Sequence, residues 1–220
     1  MAKKDRSGNR KSREKSRRHK VPELGYYLIV TDTEATEKCY FEGLRKSLSK
    51  DMQDKLIIRV VETKTKEMIN KCLELTAYEA QYRIPWIVFD RDQVSDFDEI
   101  IEEAKARGIE VGWSNPCFEI WMYAYFGAMP VIYESWKCCS EFGKIYERKT
   151  GQEYDKAERS MYDKVCKNGD EEAAIKIAEQ KFKQCIREGK QSHQKCVLVL
   201  LYTNWLGKSG KKQRKINTYE

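Results

Sequence analysis

Two short apolar runs in this chain each end in a group of carboxylates, and few folds accommodate that pattern twice. Tyr26-Tyr27-Leu28-Ile29-Val30-Thr31 runs into Asp32, Glu34 and Glu37, and Ile84-Pro85-Trp86-Ile87-Val88-Phe89 runs into Asp90 and Asp92. Both runs are too short for a helix and rich in β-branched and aromatic residues, so both read as strands. The second has no polar alternation, which implies burial on both faces and a central place in a parallel sheet. In an open parallel α/β sheet, ligands bind in the crevice beyond the carboxyl ends of the strands. Carboxylates gathered there suit a hard divalent cation such as magnesium, which takes oxygen ligands and keeps several of its waters. Asp and Glu after a strand also cap helices and make turns. One cluster would therefore say little; two clusters after two strands point to a metal-dependent phosphodiester enzyme.

The rest of the chain supplies the elements such a sheet needs. Thr36 is placed to cap a helix over 37–49, with Tyr40, Phe41, Leu44 and Leu48 on one face. Residues 56–61 read as a second strand, 64–82 as a long helix, 85–89 as the third strand and 109–113 as a fourth. Ser95 is placed to cap a helix over 96–107, with Gly108 as its terminator. This alternation predicts an α/β fold, a mostly parallel sheet of about four strands with right-handed crossovers. From residue 118 the pattern turns helical, over 118–126, 135–148 and 169–188. The apolar run 197–206 reads as helix in preference to strand. With no Pro/Gly linker, these helices are expected to pack on the sheet. The reading divides the chain into a basic tail (1–22), an α/β catalytic domain (23–127), a helical extension (128–207) and a second basic tail (208–220).

Charge is distributed unevenly. The net +7 conceals +8 in residues 1–20 (ten basic against two acidic), +4 in residues 208–220 (five against one) and −5 in the body between them. Tails of this kind repel themselves and often contact nucleic acid; attraction to phosphate would be sequence-independent and salt-sensitive. Lys11, Arg13, Arg17, Arg18, Lys20, Lys211, Lys212 and Arg214 are the candidate nucleic-acid contacts, with solubility or localisation as the alternative use. No stretch approaches the ~20 apolar residues of a membrane span, and no apolar segment follows the basic N-terminus as in a signal peptide. The expected location is the cytoplasm, where the eight cysteines would stay reduced. No C-x-x-C pair occurs and there are two histidines, which argues against zinc. Most cysteines read as small core residues; the vicinal pair Cys138-Cys139 has no functional account at this level.

Among the carboxylates, Asp90 and Asp92 are two residues apart and, along one extended stretch, would point to the same side. They are the leading metal ligands. Asp32, with Glu34 as competitor, completes the ligand set or acts as general base, which near neutrality requires a raised pKa. Glu37 stands at a helix start, where capping and the dipole also suit it. Glu119, in the aromatic stretch, would be costly if buried alone; it orients a metal-bound water or pairs with a lysine. The spacing of Phe118, Trp121 and Tyr125 favours core packing over base stacking. His193 is the only histidine outside the tail and supports no Ser-His-Asp arrangement. A haloacid-dehalogenase-type phosphatase, which needs Asp-x-Asp after the first strand, fits poorly, because here it follows the third.

Several of these pieces, in order and spacing, resemble the RloB-like family. The opening segment Leu28-Ile-Val-Thr-Asp32-Thr-Glu34-Ala-Thr36-Glu37-Lys-Cys-Tyr40-Phe41, the strand ending Phe89-Asp90-Arg91-Asp92, and Ser114-Asn115-Pro116-Cys117-Phe118-Glu119-Ile120-Trp121 are similar to its motifs, and a basic tail precedes the first strand. The resemblance covers roughly residues 1–127. It implies a Toprim-like domain, in which acids after the first strand and an Asp-x-Asp after a later one bind magnesium (manganese can substitute). It implies nuclease activity on tRNA or DNA in bacterial antiphage defence and abortive infection, an ATPase partner, and possible oligomers. Where the family usually has Glu-Gly, this chain has Asp32-Thr33. The carboxylate retreats by about 1.5 Å, and easy access to positive φ is lost. Magnesium demands near-octahedral geometry, so the resemblance is compatible with an active nuclease or with a catalytically impaired, nucleic-acid-binding or scaffolding subunit.

Overall fold

The computed structural model describes residues 25–32, 35–50, 56–78, 84–92 and 94–187. The strands are β1 (Gly25–Thr31), β2 (Leu56–Glu62), β3 (Ile84–Asp90) and β4 (Glu110–Ser114). The α-helices are α1 (Thr36–Ser47), α2 (Met68–Tyr78, entered through a 3-10 turn at Thr65–Glu67), α3 (Phe97–Ala106), α4 (Glu119–Tyr125), α5 (Ser135–Thr150), α6 (Met161–Asn168) and α7 (Glu171–Arg187). Every strand pairing is parallel, in the order β2-β1-β3-β4.

Side-chain alternation along the strands sorts two cores. Leu28, Val30, Ile87, Phe89, Val111 and Trp113 pack with Met68 and Cys72 of α2 and with Phe97 and Ile101 of α3. Ile29, Trp86 and Val88 face the other way, against Tyr40 of α1, Tyr125 of α4, Phe142 of α5, Val165 of α6 and Ala174 of α7. The sheet is thus covered on both faces, which is why β3 has no polar alternation. The helices of the C-terminal third share a core with it.

Topology locates the crevice. From β1 the chain steps outward to β2, then crosses back over β1 to reach β3 and β4. The direction of travel reverses between β1 and β3, so their carboxyl ends flank a topological switch point, where such sheets leave room for a ligand. Asp90 has the same parity as Trp86 and Val88, which directs it toward the layer of α1 and α4.

The structure adjusts several expectations. Among the described residues, the helix expected over 64–82 begins as a 3-10 turn at Thr65–Glu67 and continues as α2 from Met68. Thr36 does not cap α1; it is the first helical residue, and its hydroxyl donates instead to Glu119. Gly108 ends the α3 segment with φ of 73°, a conformation suited to glycine. Helix α6 is not among the expected elements, because its apolar Met161, Tyr162 and Val165 span little more than one turn, too short a window for periodicity to register. The expected helix over 197–206, His193 and both basic tails lie outside the described residues. Among the described residues, no helix is long and apolar enough to cross a membrane.

Helices α6 and α7 meet α4 through Gly169. Its backbone is extended, so the constraint is room: a Cβ there would lie 2.6 Å from the Tyr125 carbonyl oxygen and 2.8 Å from that of Val165. The next amide, of Asp170, donates to the Tyr125 carbonyl at 2.8 Å. Gly169→Ala is expected to destabilise by about 1–3 kcal/mol, the usual range for overpacking, because a main-chain carbonyl cannot swing aside. Gly143→Ala, in α5, brings a Cβ no nearer than 3.6 Å to Tyr154 and should stabilise by up to about 1 kcal/mol through helix propensity. Urea unfolding of the two variants beside wild type checks both signs.

Candidate functional site

The carboxyl edge of the sheet carries three buried oxygens without hydrogen-bond partners: Asp32 Oδ1 beyond β1, Asp90 Oδ1 at the end of β3 and Ser114 Oγ at the end of β4. Asp90 and Ser114 are direct neighbours in the β3–β4 register. Backbone bonds hold this edge in place: the Arg91 amide donates to the Ser114 carbonyl at 2.8 Å and the Asp92 amide to the Pro116 carbonyl at 3.2 Å. Buried polar atoms are ordinarily satisfied, so three orphans along one edge call for a group to complete them.

Two helix starts close over the edge and bring further acids. Glu37 in the first turn of α1 and Glu119 in the first turn of α4 are both buried. Burial pushes the Asp90 carboxyl well up, and Glu37, Glu119 and Asp32 add their charges in that order, against a hydrogen bond to the Phe118 main chain. Asp32 is also raised by burial, despite main-chain hydrogen bonds and one from the Thr65 hydroxyl to its Oδ2 at 3.4 Å. Asp32, Glu37, Asp90 and Glu119 therefore form one electrostatic group.

Within that group Glu119 differs. Its Oε1 accepts from Tyr154 at 2.6 Å and from Thr36 at 3.3 Å, and lies 3.4 Å from Lys156 Nζ. Burial alone would raise its pKa, but Lys156, hydrogen bonds from Cys117 and Tyr154, and the main chain together hold it below the usual range. Glu119 in turn raises both Lys156, whose burial acts the other way, and Tyr154, which burial also raises. It is an ionised carboxylate with its own cation. At Asp90 burial and three acidic neighbours oppose the charge; neighbouring Arg91 turns to the opposite layer, its guanidinium 5.6 Å from the Phe97 ring centroid.

The strand ends at Asp90, so Asp92 does not continue an extended stretch with it. Asp92 sits in a turn and is exposed. Glu34, and the tail residues Lys11, Arg13, Arg17, Arg18, Lys20, Lys211, Lys212 and Arg214, lie outside the described residues. Phe118, Trp121 and Tyr125 are buried in the core. Sequence reasoning expected a lysine as one possible partner of Glu119, and Lys156 is that partner; it missed Thr36 as a partner of Glu119, Thr65, Tyr154 and the place of Ser114 at the site edge, none of which carries a spacing signal, since each reaches the site by tertiary packing. It also missed a group of potential metal donors: the ligand atoms of Cys117, Glu119 and Cys139 all lie within 4.8 Å of one another, the only such set of three among the described residues.

Residues 27–204 match the family model described as RloB-like protein. The chain belongs to the RloB-like family. No curated protein and no solved structure matches it. In this RloB-like protein the family match extends past the α/β part and includes the segment between α5 and α6 that supplies Tyr154 and Lys156 to the site.

The electrostatics set a stability prediction. Because the folded state raises the pKa of Asp90, ionising it costs stability as pH rises from the ordinary value of 3.8 through the raised native one. Asp90→Asn should therefore raise the melting temperature at neutral pH in the presence of a chelator. The gain should shrink as pH falls toward the ordinary carboxylate range. Thermal scans over pH check the sign and the trend.

Proposed function

We propose that this RloB-like protein is a metal-dependent nuclease, a phosphodiester hydrolase acting on RNA such as tRNA or on DNA, and the effector of a bacterial antiphage system that works beside an ATPase partner. The observation that carries the reading is Asp90. It is a carboxylate at the switch point, with a buried orphan oxygen and three acidic neighbours. Burying such charge without a cation is unfavourable. A hard divalent ion takes oxygen donors of this kind, and the orphan oxygens of Asp32 and Asp90 fit it.

Asp90 and Asp32 would hold magnesium or manganese, with Glu37 at the margin, while Glu34 and Asp92 are candidates from the sequence alone. The ion, when bound, would polarise the scissile phosphate and lower the pKa of a water. The chain's own groups do the rest. Lys156, with a half-exposed side chain beside Glu119, presents a cation to an incoming phosphate. Asp32, if it does not ligate the ion, would instead serve at the same edge as the base that accepts a proton from water, a role its burial favours in direction. Tyr154 and Thr36 fix Glu119 so that it does not collapse onto the other acids. The basic tails, +8 and +4 by sequence, would draw the polyanion in from solution.

The test combines cleavage with binding. Full-length protein incubated with labelled tRNA and with single- and double-stranded DNA should cleave one class in magnesium or manganese and none in a chelator. Asp90→Asn should lose at least about 100-fold of that rate, more than outer partners of a metal site commonly cost. Saturating metal at about 100 times Kd should stabilise the wild type by about 2.7 kcal/mol, and Asp90→Asn by much less. If neither magnesium nor manganese shifts the melting curve and no substrate is cut, the nuclease reading fails. Retained nucleic-acid binding would then leave the impaired, scaffolding role that Asp32, in place of the family's glutamate, keeps open.

A further inference from the structure

We propose a second, thiol-based metal site, formed by Cys117, Cys139 and Glu119, that binds a zinc ion and is distinct from the oxygen-lined crevice. Cys117 sits in the loop between β4 and α4, Glu119 in the first turn of α4, and Cys139 in α5, so two ligands come from one short segment and the third from a facing helix. The two sulfurs lie 3.8 Å apart. A tetrahedral zinc ion with Zn–S bonds of about 2.3 Å requires an S···S edge of about 3.8 Å. The corresponding S···O edge to a carboxylate at about 2.0 Å is about 3.5 Å, and all three donor atoms already fall within 4.8 Å of one another. The pair is therefore spaced as two corners of a zinc tetrahedron, with a carboxylate near the third.

The fourth ligand would be a water on the side of Lys156, which contacts Glu119 at 3.4 Å and whose side chain is 53 % exposed. Water can reach that position once the lysine swings outward. Two thiolates and a carboxylate around Zn²⁺ leave a net charge of −1, which the displaced ammonium balances from nearby. Binding releases the two thiol protons to solvent and involves no change of oxidation state. Ligand softness separates the two sites: thiolates select zinc over magnesium, whereas an all-oxygen crevice favours magnesium. Glu119 adjoins both, so zinc would draw it from Tyr154 and Lys156. The proposal does not depend on the nuclease reading, and its test needs no catalytic assay.

The full-length protein, kept reduced with a phosphine, is titrated with zinc against a chromophoric chelator and separately with cobalt(II) as a spectroscopic probe. Wild type should take up one equivalent of zinc tightly and show a thiolate-to-cobalt charge-transfer band. Cys139→Ser should weaken zinc binding by at least about 100-fold, beyond the loss typical of outer partners, and remove the band. Cys166→Ser, a thiol outside the cluster, should keep both. As a readout that needs no variant, zinc should slow alkylation of Cys117 and Cys139 in wild type at least tenfold, read peptide by peptide by mass spectrometry. Unchanged zinc affinity and cobalt spectrum in Cys139→Ser would overturn the site. So would equal alkylation rates with and without zinc, which also decides the matter should Cys139→Ser fail to fold. Recovery of a Cys117–Cys139 disulfide after peroxide treatment, with no protection by zinc, would overturn it in favour of a redox pair.

Discussion

A carboxylate shut away from water must find a cation, a proton or several hydrogen bonds, and at Glu119 the fold is arranged around that requirement. The residue is almost wholly buried, and its three partners come from two separate segments: Thr36 at the start of α1, and Tyr154 and Lys156 between α5 and α6. Removing any one leaves a buried charge less satisfied, so the interaction fastens the helical third of the chain to the mouth of the sheet. The aromatic packing behind it serves the same end. Phe142 and Tyr146 pack edge-on or tilted against Tyr154 and hold the phenol where it can reach Glu119.

Asp90 and Glu119 then form a pair with opposite characters in one pocket. Lys156, with hydrogen bonds from Tyr154 and Cys117, keeps Glu119 ionised, while burial and its acidic neighbours oppose the charge on Asp90. Environments that push neighbouring carboxyls apart commonly mark groups with different chemical tasks. Here the difference suggests a division between a carboxylate that awaits a cation from outside and one that already has a cation built in. It also explains why the sheet edge tolerates unpaired oxygens while the helix above it does not.

Another buried acid is held by phenol hydroxyls. Glu171 accepts from the hydroxyls of Tyr125 and Tyr162, and Tyr125 in turn pairs with Tyr40. This chain of phenols runs from α1 through α4 to α6 and α7, behind the site. It stabilises the angle at which α4 presents Glu119, so the depth of the core and the exposure of the crevice are set together.

Local sequence decided a good deal of this protein. The apolar runs at 26–31 and 84–89, too short to be helices and bounded by acids, determined strands, and their lack of alternation determined a sheet covered on both faces. The placement of Asp32 and Asp90 at the strand ends followed from the same pattern, because a parallel sheet sends all its carboxyl ends to one edge. Glu37 was legible as an acid at a helix start, Glu119 as an acid within the aromatic helical stretch, and the aromatic face of α4 as core; that Glu119 opens α4 came from the structure. Tertiary structure alone decided which acids meet, because the strand order, with β1 beside β3, is not encoded in any local period. It separated Asp92 from Asp90 by ending the strand one residue after Phe89. It turned Thr36 from a cap into a ligand of Glu119. It delivered Lys156 and Tyr154 from more than thirty residues away, and it set Cys117 against Cys139 across 22 residues, where no spacing rule for thiols applies. Contacts between distant segments depend on how whole helices pack, and packing is a property of shape and volume that a one-dimensional pattern does not carry.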